Sequence, residues 1–352
     1  MNPRLTPLAA ALSIAFLAPA HAQTGDPDTV IVSATRFSEP DTNVAANVSV
    51  ITRDDIRNTP ARDLPNMLKG SAGVDVRALY GSLGIDSTVD IRGFGETAGS
   101  NTLILLDGQR MNPIDMGSVS WSAIPLDSVQ RVEVMRGAGT VLYGDKATGG
   151  VVNIITDKSG TPRLGATVGI GSHDTQTVDL NGAIGNGTGY ANAFARYAHT
   201  DGWRENSHAE QAALSGRGGL YIGKGEAFLD YAVYKDRSGL PGALLSPAYQ
   251  ANPQAAATPN DSQRSDGYRL RPGVALPLTD TLRLEAEVSY DKQDQHSNYV
   301  SFGSRADRTR DNWSLTPRLR WEHGLGSLKS ETVAGFDYYS GEVDAAYTTA
   351  AT

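Results

Sequence analysis

Apolar and polar residues alternate one by one along several stretches past residue 160. In the clearest stretch, 282–291, every second residue is apolar and the residues between are polar or charged. A strand with one apolar face and one charged face is typical of a membrane barrel with a wet interior. The same alternation recurs at 227–234, 268–276 and 313–322.

Aromatic residues at the ends of the last stretch favour a membrane barrel over a soluble sandwich. Trp313 and Trp321 flank its apolar positions, and aromatic side chains collect at the two interfaces of a bilayer. The pattern predicts about nine antiparallel strands after residue 159. These lie near 163–171, 174–184, 189–200, 210–222, 226–236, 266–277, 281–292, 311–323 and 327–340.

The connections between these strands are expected to alternate in length. Tight turns are predicted near 185–188, 223–225, 277–280 and 324–326, and longer polar loops at 201–209, 237–265 and 293–310. Outer-membrane barrels have short periplasmic turns and longer extracellular loops, so odd-numbered strands should run outward.

The chain between residues 37 and 158 mixes short helices and strands, which predicts a compact α+β domain of ordinary size. Thr52 with Asp55 resembles a helix-capping box, and a second short helix is expected at 63–70. Five short apolar or alternating strands follow, near 74–77, 88–92, 102–107, 129–135 and 150–156.

The first 22 residues are predicted to be a secretory signal. Arg4 precedes a short apolar stretch, and Ala20-His21-Ala22 suits cleavage before Gln23. No later apolar run reaches the about 18 residues of a spanning helix, so a membrane location would require a barrel. Residues 23–36 contain a β-branched run that could add as a strand to a partner's sheet, or be a disordered terminus.

Composition excludes several function classes. The chain has no cysteine, so disulfides, thiolate metal sites and a cysteine nucleophile are absent. A net charge of -8 argues against nucleic acid as a partner. The glycine-rich stretches 93–98 and 144–150 imitate nucleotide motifs without their helical context, and the histidines at 173, 199, 208, 296 and 323 lack ligand spacing. No enzyme activity, catalytic residue, cofactor or metal is expected.

An ordered set of motifs resembles the plug region of TonB-dependent outer-membrane receptors, such as those for cobalamin and ferric siderophores. The motifs are 28–36 (DTVIVSATR), 91–94 (IRGF), 105–110 (LLDGQR), 132–137 (VEVMRG), 143–144 (YG) and 149–156 (GGVVNIIT). Each motif alone is weak evidence of kinship, but together they span nearly the whole plug in order.

This resemblance implies an active transporter in the bacterial outer membrane, which is a multi-pass β-barrel in contact with outer-membrane lipid. TonB, with its inner-membrane energising complex, would pull on the TonB box to rearrange the plug. Arg92 and Arg136 resemble plug arginines that face barrel carboxylates. The TonB box would comprise Asp28, Thr29, Val30, Ile31, Val32, Ser33 and Ala34.

The expected organisation is therefore a signal peptide at 1–22, a TonB-box segment at 23–36, an α+β plug domain at 37–158 and an antiparallel transmembrane β-barrel from 159 to 352. Nine strands are fewer than the about 22 of family barrels, so an incomplete barrel is expected. A non-transporting outer-membrane anchor or adhesin and a secreted soluble binding or hydrolytic protein are the alternatives. The ligand-binding residues are unknown, and the ligand could be an iron-siderophore, the commoner expectation, or haem or cobalamin.

Overall fold

A computed structural model describes residues 31–32, 39–40, 47–79, 82–325 and 328–349. The predicted signal peptide and the TonB-box residues Asp28, Thr29, Val30, Ser33 and Ala34 lie outside the described residues. Predictions about them stand as expectations.

The described part of the chain is mostly strand. Its helices are α1 (Arg53–Asn58), α2 (Leu64–Leu68), α3 (Thr140–Tyr143) and α4 (Ser246–Ala251). Its strands are β1 (Ile31–Val32), β2 (Glu39–Pro40), β3 (Asn47–Ile51), β4 (Val74–Ala78), β5 (Ser87–Ile91), β6 (Thr102–Leu106), β7 (Gln109–Arg110), β8 (Val129–Arg136), β9 (Gly150–Thr156), β10 (Arg163–Gly171), β11 (Thr175–Gly185), β12 (Gly189–Thr200), β13 (Ala209–Ile222), β14 (Gly225–Gly239), β15 (Ser262–Pro277), β16 (Leu282–Tyr299), β17 (Ser304–Leu315), β18 (Arg318–Leu325), β19 (Leu328–Gly335) and β20 (Tyr338–Thr349). Among the described residues, no helix is both long and apolar enough to cross a membrane.

The inner domain is built on a five-stranded sheet in the order β3-β8-β9-β6-β7, beside the separate hairpin β4–β5. Only β6 and β9 run parallel. Both faces of the central strand β9 are covered, so β9 is apolar almost throughout, and Val132 of β8 and Val152 and Ile154 of β9 are fully buried. The predicted capping box is confirmed, because Thr52 and Asp55 exchange hydrogen bonds at the start of α1.

The outer sheet consists of β10 to β20, each strand antiparallel to its neighbours. β17 and β18 both pair with β16 in one unbroken register, in which Tyr290 faces Trp313 and Leu284 faces Leu319. They form one long strand that is interrupted at Pro317, which has no N–H to donate to the ladder. β19 and β20 likewise continue one register, so the sheet contains the nine long strands that the alternation predicts.

The two faces of this sheet differ as predicted. Leu229, Trp313 and Trp321 point outward and are 44%, 54% and 50% exposed. The alternate positions face the inner domain, where the polar side chains of Arg217 and Arg271 are almost fully buried. The outward apolar face therefore suits lipid, and the inward face suits a hydrated interior.

One predicted connection is wrong. The polar stretch 293–310 was expected to be a long loop, yet β16 and β17 continue through most of it and are joined by a short turn around Val300–Phe302. Strands that project beyond the bilayer have water on both faces, so they keep their ladder without alternating hydrophobicity. The long connections at 201–208 and 240–261 are confirmed, and α4 lies within the second.

Candidate functional site

The inner domain meets the barrel strands at a tight turn. Asp107 and Gly108, with φ values of 52° and 83°, join β6 to β7 in a left-handed conformation. Two consecutive residues of positive φ are typical of a two-residue hairpin turn. An Asp-Gly pair is typical of such a turn, and here the turn presents the Asp107 side chain to the barrel strands.

Asp107 is the centre of a buried ionic network. Its carboxylate is 2% exposed and lies 3.3 Å from Lys158 Nζ and 3.0 Å from Arg271 Nη2. The backbone N–H and hydroxyl of Thr156 also donate to it, at 3.0 and 2.6 Å. Burial opposes its ionisation, but Lys158 and Arg271 outweigh burial and hold the pKa of the Asp107 carboxyl well below its usual value.

Arg271, on β15, joins the inner domain to two barrel strands. Its Nη1 donates to the carbonyl of Leu106 at 3.2 Å, and its Nε donates to Asp230 Oδ2 on β14 at 2.7 Å. Glu287 on β16 lies 3.6 Å from Nη1. With its side chain 3% exposed, Arg271 depends on these acceptors to compensate for its lost hydration.

Arg217 and Gln109 extend the network in opposite directions. Arg217 on β13 binds both carboxylate oxygens of Asp230, and its guanidinium lies 3.9 Å from the ring centre of Phe228. Gln109 of β7 donates 2.6 Å hydrogen bonds to Glu287 and to Thr316. The network therefore links one turn of the inner domain to β13 through β17.

Further polar contacts between the inner domain and the barrel strands lie away from this network. Arg310 Nη2 is 3.0 Å from Asp115 Oδ2, and Gln211 donates to the carbonyl of Leu83 at 2.9 Å. Ser122 donates to Asp236, and Tyr234 donates to Ser120, at 2.7 and 2.8 Å. Apolar packing also crosses this interface, because Ala232 and Tyr234 join the core of the inner domain and Leu83 and Ile85 form a second cluster with Ala198 and Ala209. The polar contacts among these can be replaced by water-mediated ones at little cost.

The two predicted plug arginines lie beside residues of the inner domain. Arg136 donates to the carbonyl of Ala72 at 2.8 Å and to the hydroxyl of Ser49 at 2.6 Å. Arg92 adopts a left-handed conformation, with φ of 76°, and its guanidinium lies next to Gly137. Contact of these arginines with barrel carboxylates stays a prediction.

Sequence reasoning missed the ion pairs across the interface. Their polarity is the reverse of the expected one, because the barrel supplies Arg271 and Arg310, and the inner domain supplies Asp107 and Asp115. Charged residues at inward positions of β13 to β17 were a usable signal, since a charge facing the interior needs a partner there.

The predicted TonB box has one described element. Ile31–Val32 pairs antiparallel with Glu39–Pro40, with Ile31 opposite Pro40. Ile31 and Val32 are thus extended, which is the backbone conformation that strand addition to a partner requires.

The motifs that imitate nucleotide sites have structural roles. Asp90 accepts hydrogen bonds from the backbone N–H groups of Phe94 and Gly95, which holds the turn at 93–95. Gly149 and Gly150 pack so closely that an added Cβ would lie 2.7 and 2.5 Å from backbone oxygens. Close packing explains glycine at both positions.

One group of side chains has the donors of a metal site. Asp174, His199 and Asp201 lie together at the end of the β10–β11 hairpin, with His199 Nε2 3.5 Å from Asp201 Oδ1. Both carboxylates are largely exposed, and exposed acidic groups of this kind are common without a metal ion.

Comparison with known proteins identifies the inner domain. A family model described as the TonB-dependent receptor plug domain matches residues 40–151. The chain is 38% identical over 167 residues to the vitamin B12 transporter BtuB of Vibrio cholerae serotype O1, a match that covers 47% of this chain and 26% of the relative.

Two solved structures extend the likeness to the barrel strands. The alcaligin outer-membrane receptor FauA of Bordetella pertussis has a TM-score of 0.72 at 17% identity, over 91% of this chain and 51% of its own. The ferric preacinetobactin receptor BauA of Acinetobacter baumannii has a TM-score of 0.74 at 17% identity, over 90% and 50%. The chain thus spans about half the length of these solved relatives and about a quarter of the curated one.

Proposed function

We propose that this chain, which belongs to the TonB-dependent receptor family of the outer membrane, acts in the active uptake of a scarce ligand. The plug match and the antiparallel barrel strands support this function. They do not favour a non-transporting anchor, which would need no domain seated inside the barrel. Catalysis is not part of the proposal, because the family consists of receptors and transporters.

The observation that carries the proposal is the polar seating of the plug. Asp107, Arg271 and Gln109 are almost fully buried, yet their partners lie across an interface between two parts of the chain. Separating such groups exposes charges that water can solvate, whereas an apolar interface would expose surface that water disfavours. The interface therefore suits a plug that is held firmly and released under load.

TonB would supply that load through residues 28–36. In this proposal, a ligand binds from the outside, and TonB with its inner-membrane energising complex adds to the box as a strand. Main-chain hydrogen bonds to Ile31 and its neighbours would then transmit the pull. The barrel contacts assigned from the resemblance to Arg92 and Arg136 remain part of this proposal.

The transported ligand is proposed at the level of class. BtuB is a vitamin B12 transporter, and BauA is a ferric preacinetobactin receptor. An iron chelate or a cobalamin-type ligand is therefore proposed for this chain, with haem as a further candidate. Uptake of labelled iron chelates and labelled cobalamin, measured in cells that carry or lack the gene, tests the choice.

TonB coupling is tested by a pull-down with the C-terminal domain of TonB. Val30→Pro should abolish retention, because proline removes a backbone donor from the added strand. Thr24→Pro, outside the predicted box, is the matched control and should leave retention unchanged. Retention of the Val30→Pro protein at the wild-type level would refute strand addition at this segment.

A further inference from the structure

Two adjoining cavities separate the plug from the first three barrel strands. One, of about 480 Å³, lies between residues 53–62 and the inward faces of β10, β11 and β12. The other, of about 490 Å³, lies beside the turn at 172–174. Pro60, Ala61 and Arg62 line both cavities, so the two adjoin at these residues. The second cavity lies at the end of the strands that carries the long connections, which in outer-membrane barrels is the extracellular end.

The wall of the first cavity is strongly basic. Only two carboxylates line it, and both have donors of their own. Asp179 pairs with Arg196 at 2.7 Å, and Asp127 accepts a hydrogen bond from Asn181. Five arginines line the same cavity, namely Arg53, Arg57, Arg62, Arg163 and Arg196.

Two of these arginines, Arg57 and Arg62, have no ion-pair partner among the described residues. Arg53 and Arg163 share Asp157, at 3.4 and 2.9 Å. Arg57 and Arg62 are exposed to the cavity, and in the described part of the chain no carboxylate lies within ion-pair distance of either. Within the described residues, the charges of Arg57 and Arg62 are therefore not compensated by a carboxylate.

The position of Arg62 is set by its surroundings rather than by an ion pair. Arg196 Nη2 donates to its backbone carbonyl at 2.6 Å, which ties this part of the plug to β12. Its guanidinium lies against Gly169 of β10, where an added Cβ would be 2.6 Å from Nη1. Glycine at 169 thus leaves room for the charged group between plug and barrel, and the side-chain donors stay available.

We propose that this cavity binds an anionic ligand through Arg57 and Arg62, which recognise its carboxylate or phosphate groups. The inference rests on the proposed uptake function and specifies the charge of the transported ligand. Planar guanidinium groups bind both anion types with paired hydrogen bonds. The cavity volume falls within the range of about 300–1,000 Å³ that small-molecule sites occupy.

Calorimetric titration of the intact protein in detergent micelles tests the proposal. The probes are citrate, inorganic phosphate and, as an uncharged comparison, a neutral trihydroxamate iron chelate. We expect at least one anionic probe to bind, with affinity that falls as sodium chloride is raised, because salt screens exposed charges. Binding of citrate alone would identify a polycarboxylate ligand, and binding of phosphate alone a phosphate-bearing one.

Variants of the two arginines separate the site from general electrostatics. Arg57→Gln and Arg62→Gln should each weaken binding of the anionic probe about tenfold, the usual effect of losing one charge-assisted hydrogen bond. Arg62→Lys keeps the charge and should retain part of the affinity. Arg305→Gln, which alters an exposed arginine in the β16–β17 hairpin, is the matched control and should bind as the wild type does.

Two results would overturn the inference. One is anion binding that the Arg57→Gln and Arg62→Gln substitutions leave unchanged. The absence of any anion binding by a wild-type protein whose TonB-dependent uptake has been demonstrated would count equally. The other is tighter binding of the neutral chelate, unaffected by the Arg57→Gln and Arg62→Gln substitutions. Uptake assays in cells that carry or lack the gene distinguish these results from failure of the proposed function. That failure would remove TonB-dependent uptake of every ligand.

Discussion

Replacement of Arg271 by methionine should loosen the seating of the plug without unfolding the barrel. The substitution removes the guanidinium that contacts Asp107, Asp230 and Glu287 together. Each carboxylate keeps another donor, since Lys158 remains beside Asp107, Arg217 beside Asp230, and Gln109 beside Glu287.

The expected cost follows from those remaining partners. Breaking a buried ion pair costs about 3–5 kcal/mol when the partner is left uncompensated. Because no carboxylate is left without a donor, we expect the lower end, about 3 kcal/mol, which corresponds to about two powers of ten in an equilibrium constant. Asp107→Asn should cost less, about 1 kcal/mol, because Arg271 keeps Asp230 and Glu287.

Amide hydrogen exchange followed by mass spectrometry measures this effect locally. In Arg271→Met, amides of β6 and β7 should exchange about a hundredfold faster, while amides of β12 in the barrel wall keep their protection. Arg305→Gln serves as the control for loss of an arginine elsewhere. Exchange of β6 and β7 within twofold of the wild type would refute the claim that Arg271 holds the plug. Faster exchange in β12 as well would show that the barrel itself had unfolded.

Three further predictions concern pH, packing and lipid contact. Because the pKa of Asp107 is lowered in the folded protein, its contribution to stability is fully present above its unfolded pKa of about 3.9 and is lost on further acidification. The protection of β6 and β7 amides against hydrogen exchange, corrected for intrinsic exchange, should therefore be constant from about pH 5 to 8 and fall below about pH 4. Gly149→Ala places a Cβ 2.7 Å from the carbonyl oxygen of Ile91 and should destabilise the plug by about 1–3 kcal/mol in urea titrations, whereas Gly187→Ala, with open space around it, should be neutral. Leu229→Arg puts a charge on the lipid-facing side of β14 and should lower the unfolding free energy of the barrel in lipid vesicles by about 2–4 kcal/mol. The control Thr188→Arg, in a short turn, should leave that free energy unchanged.

The sequence predicts the local structure well because the local signals are strong. Alternation at 282–291 and 313–322 places Leu284, Leu319 and Trp313 on one face, and the structure agrees. The capping residue Thr52 and the turn at Asp107–Gly108 depend on neighbours within a few residues. Such features need no knowledge of the rest of the chain.

The hairpin at 293–310 shows where periodicity stops being informative. Its side chains are polar on both faces, so the pattern resembles that of a loop. The strands persist because β16 and β17 continue a ladder that begins inside the barrel wall. Backbone pairing, rather than side-chain burial, determines the structure there.

The pairing of particular residues between plug and barrel was beyond prediction for a different reason. Asp107 and Arg271 are 164 residues apart, and no periodic pattern connects a turn of one domain with a strand position of another. The resemblance directed attention to Arg92 and Arg136, both recognisable within motifs. The residues that join the two parts in the structure became identifiable only once the strand register had fixed which charges share the interior.

That register also explains why charged groups can serve at such an interface. Inward positions of barrel strands face a hydrated interior before the plug is seated, so Arg217, Arg271 and Asp230 are tolerated there irrespective of the plug. Once the plug occupies the interior, the same groups are buried and must be paired, which Asp107 and Gln109 accomplish. In the proposed uptake function, withdrawal of the plug would return them to water, so the cost of separation would be offset by rehydration. A polar network thus combines a specific seat for the plug with a moderate barrier to its release, a combination that an apolar core of the same area would not provide.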